Sequence, residues 1–161
     1  MKTYSRGYFL FSIASATVAL LDRFSTLAVA VQNPPAPAPP PRAYHKHAPT
    51  EPLPSTLDPS ELQDNRNAFV IYTLVAEIKE ILYQVPCYCG CDQQQGHESL
   101  LDCFITKHGV KCTICQKEAL FCYLERKTKT PAEIRDVMAS GKPQVDLQKY
   151  VDDFYQQARS R

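Results

Sequence analysis

Tryptophan is missing altogether from the 161 residues, and with it the broadest platform for stacking a nucleic-acid base. The Tyr and Phe residues recur at helical spacing, which suits a core better than a stacking surface. Neither sign of charge dominates. With 18 Lys and Arg against 17 Asp and Glu the formal net charge is +1, so neither a basic stripe for nucleic acid nor an acidic tail for a cationic partner is present. A period-two strand pattern and internal repeats are also absent. So are a G-x-S-x-G element, a phosphate-cradling Gly loop and the C-x₂-C-x₂-C spacing of bacterial iron–sulfur sites. Gln116 follows Cys115, which excludes C-x-x-C-H haem attachment. These gaps argue against an enzyme and against nucleic-acid binding.

What is there begins with a targeting pattern. Lys2 and Arg6 form a positive start, Tyr8 to Leu21 is apolar or small, and Asp22 and Arg23 close the run. Ala28-Val29-Ala30 has the form of an A-x-A cleavage site. The apolar run is short of the roughly 20 residues that span a bilayer, so residues 1–30 are expected to be a signal peptide. A retained anchor, and with it membrane contact, is the alternative. No Cys lies near the cleavage site to carry a lipid. The expected location is extracytoplasmic, either periplasmic or secreted.

Residues 31–59 are rich in Pro and Ala and read as a disordered, polyproline-like linker that contains the pair His45 and His47. The remaining segment, 60–161, is expected to be all-α: a small bundle of about five helices with a cysteine-rich loop after the first. The first helix is predicted from the capping-box spacing of Ser60 and Gln63 through Phe69, Ile71, Leu74, Val75, Ile78, Ile81 and Leu82 to the stop at Pro86. A loop follows over 87–96. The second helix runs from about His97 to Lys107, with Leu100, Leu101 and Phe104 inward and Gly109 as a left-handed terminator. The third runs from about Cys112 to Lys127, with Ile114, Phe121 and Leu124 as core. Thr130-Pro131-Ala132-Glu133 announces a fourth that ends at Gly141. After Pro143 a fifth covers Val145 to Arg159, with Leu147, Tyr150, Val151 and Phe154 on one face.

All seven cysteines lie between positions 87 and 122. Cys87, Cys89 and Cys91 alternate in a loop, so their sulfurs can share one side. A bridge between such close neighbours is strained, which favours chelation over local pairing. Cys112 and Cys115 sit at a helix start, where the dipole favours thiolate. With Ala119 and Cys122 they fall on one helical face. Thiolates at this density select soft ions, Cu(I) or Zn. The C-x-C spacing departs from the structural-zinc habit and tilts the reading toward Cu(I) or a multi-metal cluster. His97 and His108 flank the second helix; His97 is the stronger nitrogen donor, while His108 suits the ordinary role of a cation in a last helical turn. The expected ligand set is Cys87, Cys89, Cys91, His97, Cys103, Cys112 and Cys115.

The run Pro86-Cys87-Tyr88-Cys89-Gly90-Cys91 resembles the signature of the bacterial PCYCGC-motif proteins, an exported family of unknown function. Gly96-His97, Leu101-Asp102-Cys103, Cys112-x-x-Cys115, Glu118-Ala119 and Pro131-Ala132-Glu133-Ile134-Arg135 stand in the same order, so the resemblance covers residues 68–140. Members are often lipoproteins; this chain lacks the lipid-bearing Cys and adds Cys122 to the usual six. Three functions compete. The first is an extracytoplasmic protein that buffers or transfers Cu(I) or Zn, exchanging it with a metal-donor or metal-acceptor protein. The second is a disulfide-stapled interaction domain, the default for cysteines outside the cytoplasm. The third is thiol–disulfide exchange through Cys112 and Cys115.

Overall fold

The computed structural model describes residues 42–141 and 144–161. The signal segment, the first part of the linker and Pro143 lie outside them. Every described element is helical, and no strand occurs among the described residues. The protein is all-α, as expected; the third, fourth and fifth predicted helices stand as single helices, while the first is broken and the second shortened.

A 3-10 turn, Pro59–Leu62, opens the helical part. The Ser60/Gln63 capping box does not form. Asp58 instead accepts the Ser60 N–H at 2.8 Å, and Asn65 caps α1 (Arg66–Val75) by accepting the Ala68 N–H at 3.1 Å. The apolar periodicity that predicts one long helix continues unbroken, yet the chain bends at Ala76–Ile78 and resumes as α2 (Lys79–Tyr83). Val75, Ile78 and Leu82 are all buried across the bend, so tertiary packing overrides local propensity there.

The cysteine loop contains its own short helix, α3 (Cys91–Gln95), set between Gly90 at φ 90° and Gly96 at φ 70°. Only glycine enters that left-handed region without cost. Of the predicted second helix only α4 (Asp102–Ile105) forms, and a further short helix, α5 (His108–Lys111), follows where a terminator was expected, with extended backbone at Thr106 between them. Gly109 lies inside α5 and is not its left-handed terminator. Its reason is close approach: a Cβ there would sit 2.8 Å from Phe104 Cε1 and 2.9 Å from the Cys103 carbonyl oxygen.

The long helices follow. α6 (Thr113–Glu125) is the centre of the unit, packed against α1, α2, α5 and α8. It is buried on much of its circumference, including Gln116 and Glu118, while Ile114 and Leu124, expected in the core, are 48% exposed. α7 (Pro131–Ser140) carries the capping box foreseen at Thr130 and Glu133. α8 (Leu147–Arg159) is capped by Asp146 and buries Leu147 and Val151, with Tyr150 and Phe154 packed beside them.

The later part of the expected linker is not free of the domain. Residues 42–59 lie along the helices: the Arg42 guanidinium is 3.0 Å from the Asp92 carboxylate, and the His45 ring stacks on Tyr83 at 3.8 Å. Leu53 and Leu57 pack against the core, and the Leu57 N–H donates to the Phe104 carbonyl at 3.0 Å. The folded unit therefore begins nearer residue 42 than residue 60. Apolar and aromatic residues spaced among the prolines anchor an extended segment that could not form a core alone.

Candidate metal centre

Three separate pieces of chain deliver the cysteines. Pro86 ends the α2 region, and the Leu100 N–H donates to the Val85 carbonyl at 2.8 Å, which closes the 86–99 loop at its base. Within the loop, Cys87 and Cys91 are buried and Cys89 is half-exposed. The left-handed turn at Gly90 lies between Cys89 and Cys91, and the three sulfurs still come together, within 4.8 Å of one another. Cys103 comes from α4. The Tyr72 hydroxyl fixes the junction beyond it by donating to the Thr106 carbonyl at 2.9 Å. Cys112 and Cys115 come from the start of α6.

The sulfurs meet. Cys87 Sγ lies 3.2 Å from Cys89 Sγ and 3.5 Å from Cys115 Sγ. Cys91 and Cys103 are 3.4 Å apart, and Cys115 and Cys89 3.7 Å. Cys112 joins Cys89, Cys115 and His108 in a set whose donor atoms all lie within 4.8 Å of one another. Other sets that meet the same limit are Cys87–Cys89–Cys91, Cys87–Cys103–Cys115 and Cys91–Cys103–His108. Four thiolates around one ion at bonds of about 2.3 Å are spaced about 3.8 Å apart. A disulfide consumes each sulfur with one partner at about 2.05 Å, whereas here Cys87 and Cys115 each approach more than one. All seven cysteines are unbridged. The group can hold a metal ion.

Six of the seven expected ligands, all cysteines, come together. His97 reaches the edge, with Nδ1 3.3 Å from Cys103 Sγ. His108, rated below it from sequence, is the histidine that enters the donor sets. It stands at the first residue of α5, a helix of one turn, with Nε2 3.5 Å from Cys89 Sγ. Gln95 Nε2 sits 2.8 Å from its Nδ1; an amide nitrogen donates, which puts the ring proton on Nε2, so ligation through Nε2 requires the Gln95 amide to turn and accept from Nδ1–H through its oxygen. Burial, and then neighbouring His97, lowers the His108 pKa, which favours the neutral ring that binds metals. Its place beside the cysteines makes it a candidate in the sequence, and the extended residue Thr106, between α4 and α5, sets where it stands.

Electrostatics set the thiols apart. Hydrogen bonding with Cys103 draws Cys87 down, but contact with Cys115, burial and the Glu118 charge outweigh it and hold Cys87 above the ordinary thiol range. Contact with Cys103 raises Cys115, with burial adding to it against the lowering effect of Cys87. The helix start therefore does not give Cys115 the lowered pKa expected of it. Burial pushes Cys91 up to about 11. Cys89 goes the other way: burial raises it, yet hydrogen bonds from Cys87, Cys91 and Cys115 together bring it below the ordinary value. Crowded, buried thiols resist joint ionisation, and a cation in their midst removes that cost.

Two further residues frame the centre. Glu118 on α6 is 2% exposed; its Oε1 accepts the Tyr88 N–H at 3.0 Å, pinning the cysteine loop to α6, while its Oε2 has no protein partner. Gln116 donates to the carbonyls of Gly109 at 2.8 Å and Val110 at 3.0 Å, binding α5 to α6. Cys122 is fully buried one helical turn beyond Glu118 and belongs to none of the donor sets above.

The family model described as "protein of unknown function with PCYCGC motif" matches residues 44–161. That span begins within two residues of Arg42, where the described chain starts to pack on the helices. No curated protein and no solved structure matches the chain.

Proposed function

The chain belongs to the family of proteins of unknown function that carry the PCYCGC motif, and from its geometry we propose that it is an extracytoplasmic metal-binding protein, not an enzyme, that buffers or hands on Cu(I) or Zn. One observation carries the reading: six cysteine sulfurs and one imidazole nitrogen, drawn from a loop and three helices, form interlocking donor sets within 4.8 Å. Soft thiolates select soft ions. Each thiol that becomes a ligand gives up its proton to water, so binding releases protons and weakens in acid. The half-exposed Cys89, Cys112 and His108 leave the centre open on one side, as exchange with a metal-donor or metal-acceptor protein requires. The leader-like pattern of residues 1–30 supports the location outside the cytoplasm.

The test is to export the full chain in a bacterial host, purify it without chelator, and determine metal content by mass spectrometry alongside a free-thiol count. Bound copper or zinc, with the cysteines titrating as thiols once it is removed, is the expected result. A metal-free protein with its cysteines oxidised would overturn the proposal in favour of a stapled domain.

A further inference from the structure

Seven donors are more than one ion uses. A tetrahedral site takes four ligands, and a single ion would leave several buried thiols crowded beside it without a counter-charge. The donors also differ in their access to solvent. Cys89, His108 and Cys112 are half-exposed and meet at buried Cys115. Cys87, Cys91 and Cys103 are all buried, at 2%, 1% and 0% exposure, and the overlapping sets place each of the three within 4.8 Å of the other two.

We propose that the centre holds two ions: an outer one on Cys89, His108, Cys112 and Cys115, and an inner one on Cys87, Cys91 and Cys103. This division rests on the metal-binding reading above and adds its nuclearity. Every donor is used once, and each set satisfies the same mutual spacing. The inner set has a fourth donor at hand in His97, whose Nδ1 is 3.3 Å from Cys103 Sγ. The two sets touch through Cys87, which is 3.2 Å from Cys89 and 3.5 Å from Cys115. Sulfurs at that separation let a thiolate bridge neighbouring ions, so the pair forms one joined cluster. The half-exposed ligands place the outer ion next to solvent, and it is the first to meet a chelator. The three cysteines of the inner ion are all buried, and it exchanges more slowly.

The reduced full chain, kept anaerobic, is titrated separately with Zn(II) and Cu(I), and bound ions are counted by native mass spectrometry. A chelator-competition trace gives the release kinetics. With at least one metal, two ions per chain and two-phase release are expected. Cys112→Ser alters a half-exposed ligand of the outer set alone, so folding is preserved; it should lower the count from two to one and remove the fast phase. Cys91→Ser should also lower the count to one, but remove the slow phase. Saturation at one ion, or at three or more, with both metals overturns the two-ion division while leaving metal binding intact. So does a Cys112→Ser variant that still takes two. A wild-type chain that takes up neither metal overturns the metal-binding reading itself.

Discussion

Glu118 is a carboxylate placed where ionisation is costly, and its replacement by Gln gives a quantitative test of the structure. Burial pushes its pKa up from 4.5 to about 7, against lowering contributions from Cys87, the Tyr88 N–H and Arg42. In the unfolded chain the group loses its proton near 4.5; in the folded metal-free protein it keeps it until about 7. Between those values the folded state binds more protons, so stability falls as pH rises through this window and levels off above it. The full difference corresponds to about 3 kcal/mol. Glu118→Gln keeps an acceptor for the Tyr88 N–H and has nothing to ionise. In urea unfolding of the reduced, metal-free protein, wild type and variant should be nearly equal at pH 5. By pH 8 the variant should be more stable by about 2–3 kcal/mol. Contributions of the other titrating groups largely cancel in that difference. A difference that stays constant from pH 5 to 8 would refute the placement of this carboxylate in a dry, under-partnered site.

Three more outcomes follow from particular contacts. Gly109→Ala forces a methyl against the Phe104 ring and the Cys103 carbonyl; overpacking of about 1–3 kcal/mol outweighs the gain in helix propensity of at most about 1 kcal/mol, so thermal unfolding should move down by several degrees. Cys122→Ala should lower stability by about 1 kcal/mol and leave the bound-metal count unchanged, since this sulfur lies in none of the donor sets; a lost ion would show that it is a ligand. On α6, Leu124→Gln at a 48% exposed position should stay within about 0.5 kcal/mol of wild type by urea titration. The neighbouring Leu120→Ala, at 0% exposure, should cost about 2–5 kcal/mol.

The sequence is most informative where a local group settles a local question. Thr130 and Glu133 sit in the fixed geometry of a capping box, so the start of α7 is legible from residue types alone. The gathering of six of the seven cysteines is equally legible, because their crowding into 87–115 is visible in the sequence itself. The bend after Val75 is not, since Ala76-Glu77-Ile78 contains neither Gly nor Pro and the apolar rhythm runs straight through it. Ile114 and Leu124 mislead for a related reason. α6 is surrounded by other helices and buries Gln116 and Glu118, so apolar residues do not mark its inner side. His108 depends on a turn between two short helices, and Gly109 on the approach of a ring from α4; both are tertiary facts. Arg42 and His45 pack because partners await them at Asp92 and Tyr83, which the proline content of their own segment conceals.

The Gln116 side chain ties α5 to α6 and so bears on discrimination among ions. Its amide bonds both the Gly109 and Val110 carbonyls from a 4% exposed position, so drawing α5 away would strand buried polar groups at about 1–3 kcal/mol. His108 on α5 and Cys115 on α6 are thereby held as parts of one rigid frame. A frame of this kind is pre-organised: the cost of gathering the ligands has been met during folding. On the proposed metal-binding role, an ion whose bond lengths do not match the spacing would strain the frame, so fit as well as softness would select the ion.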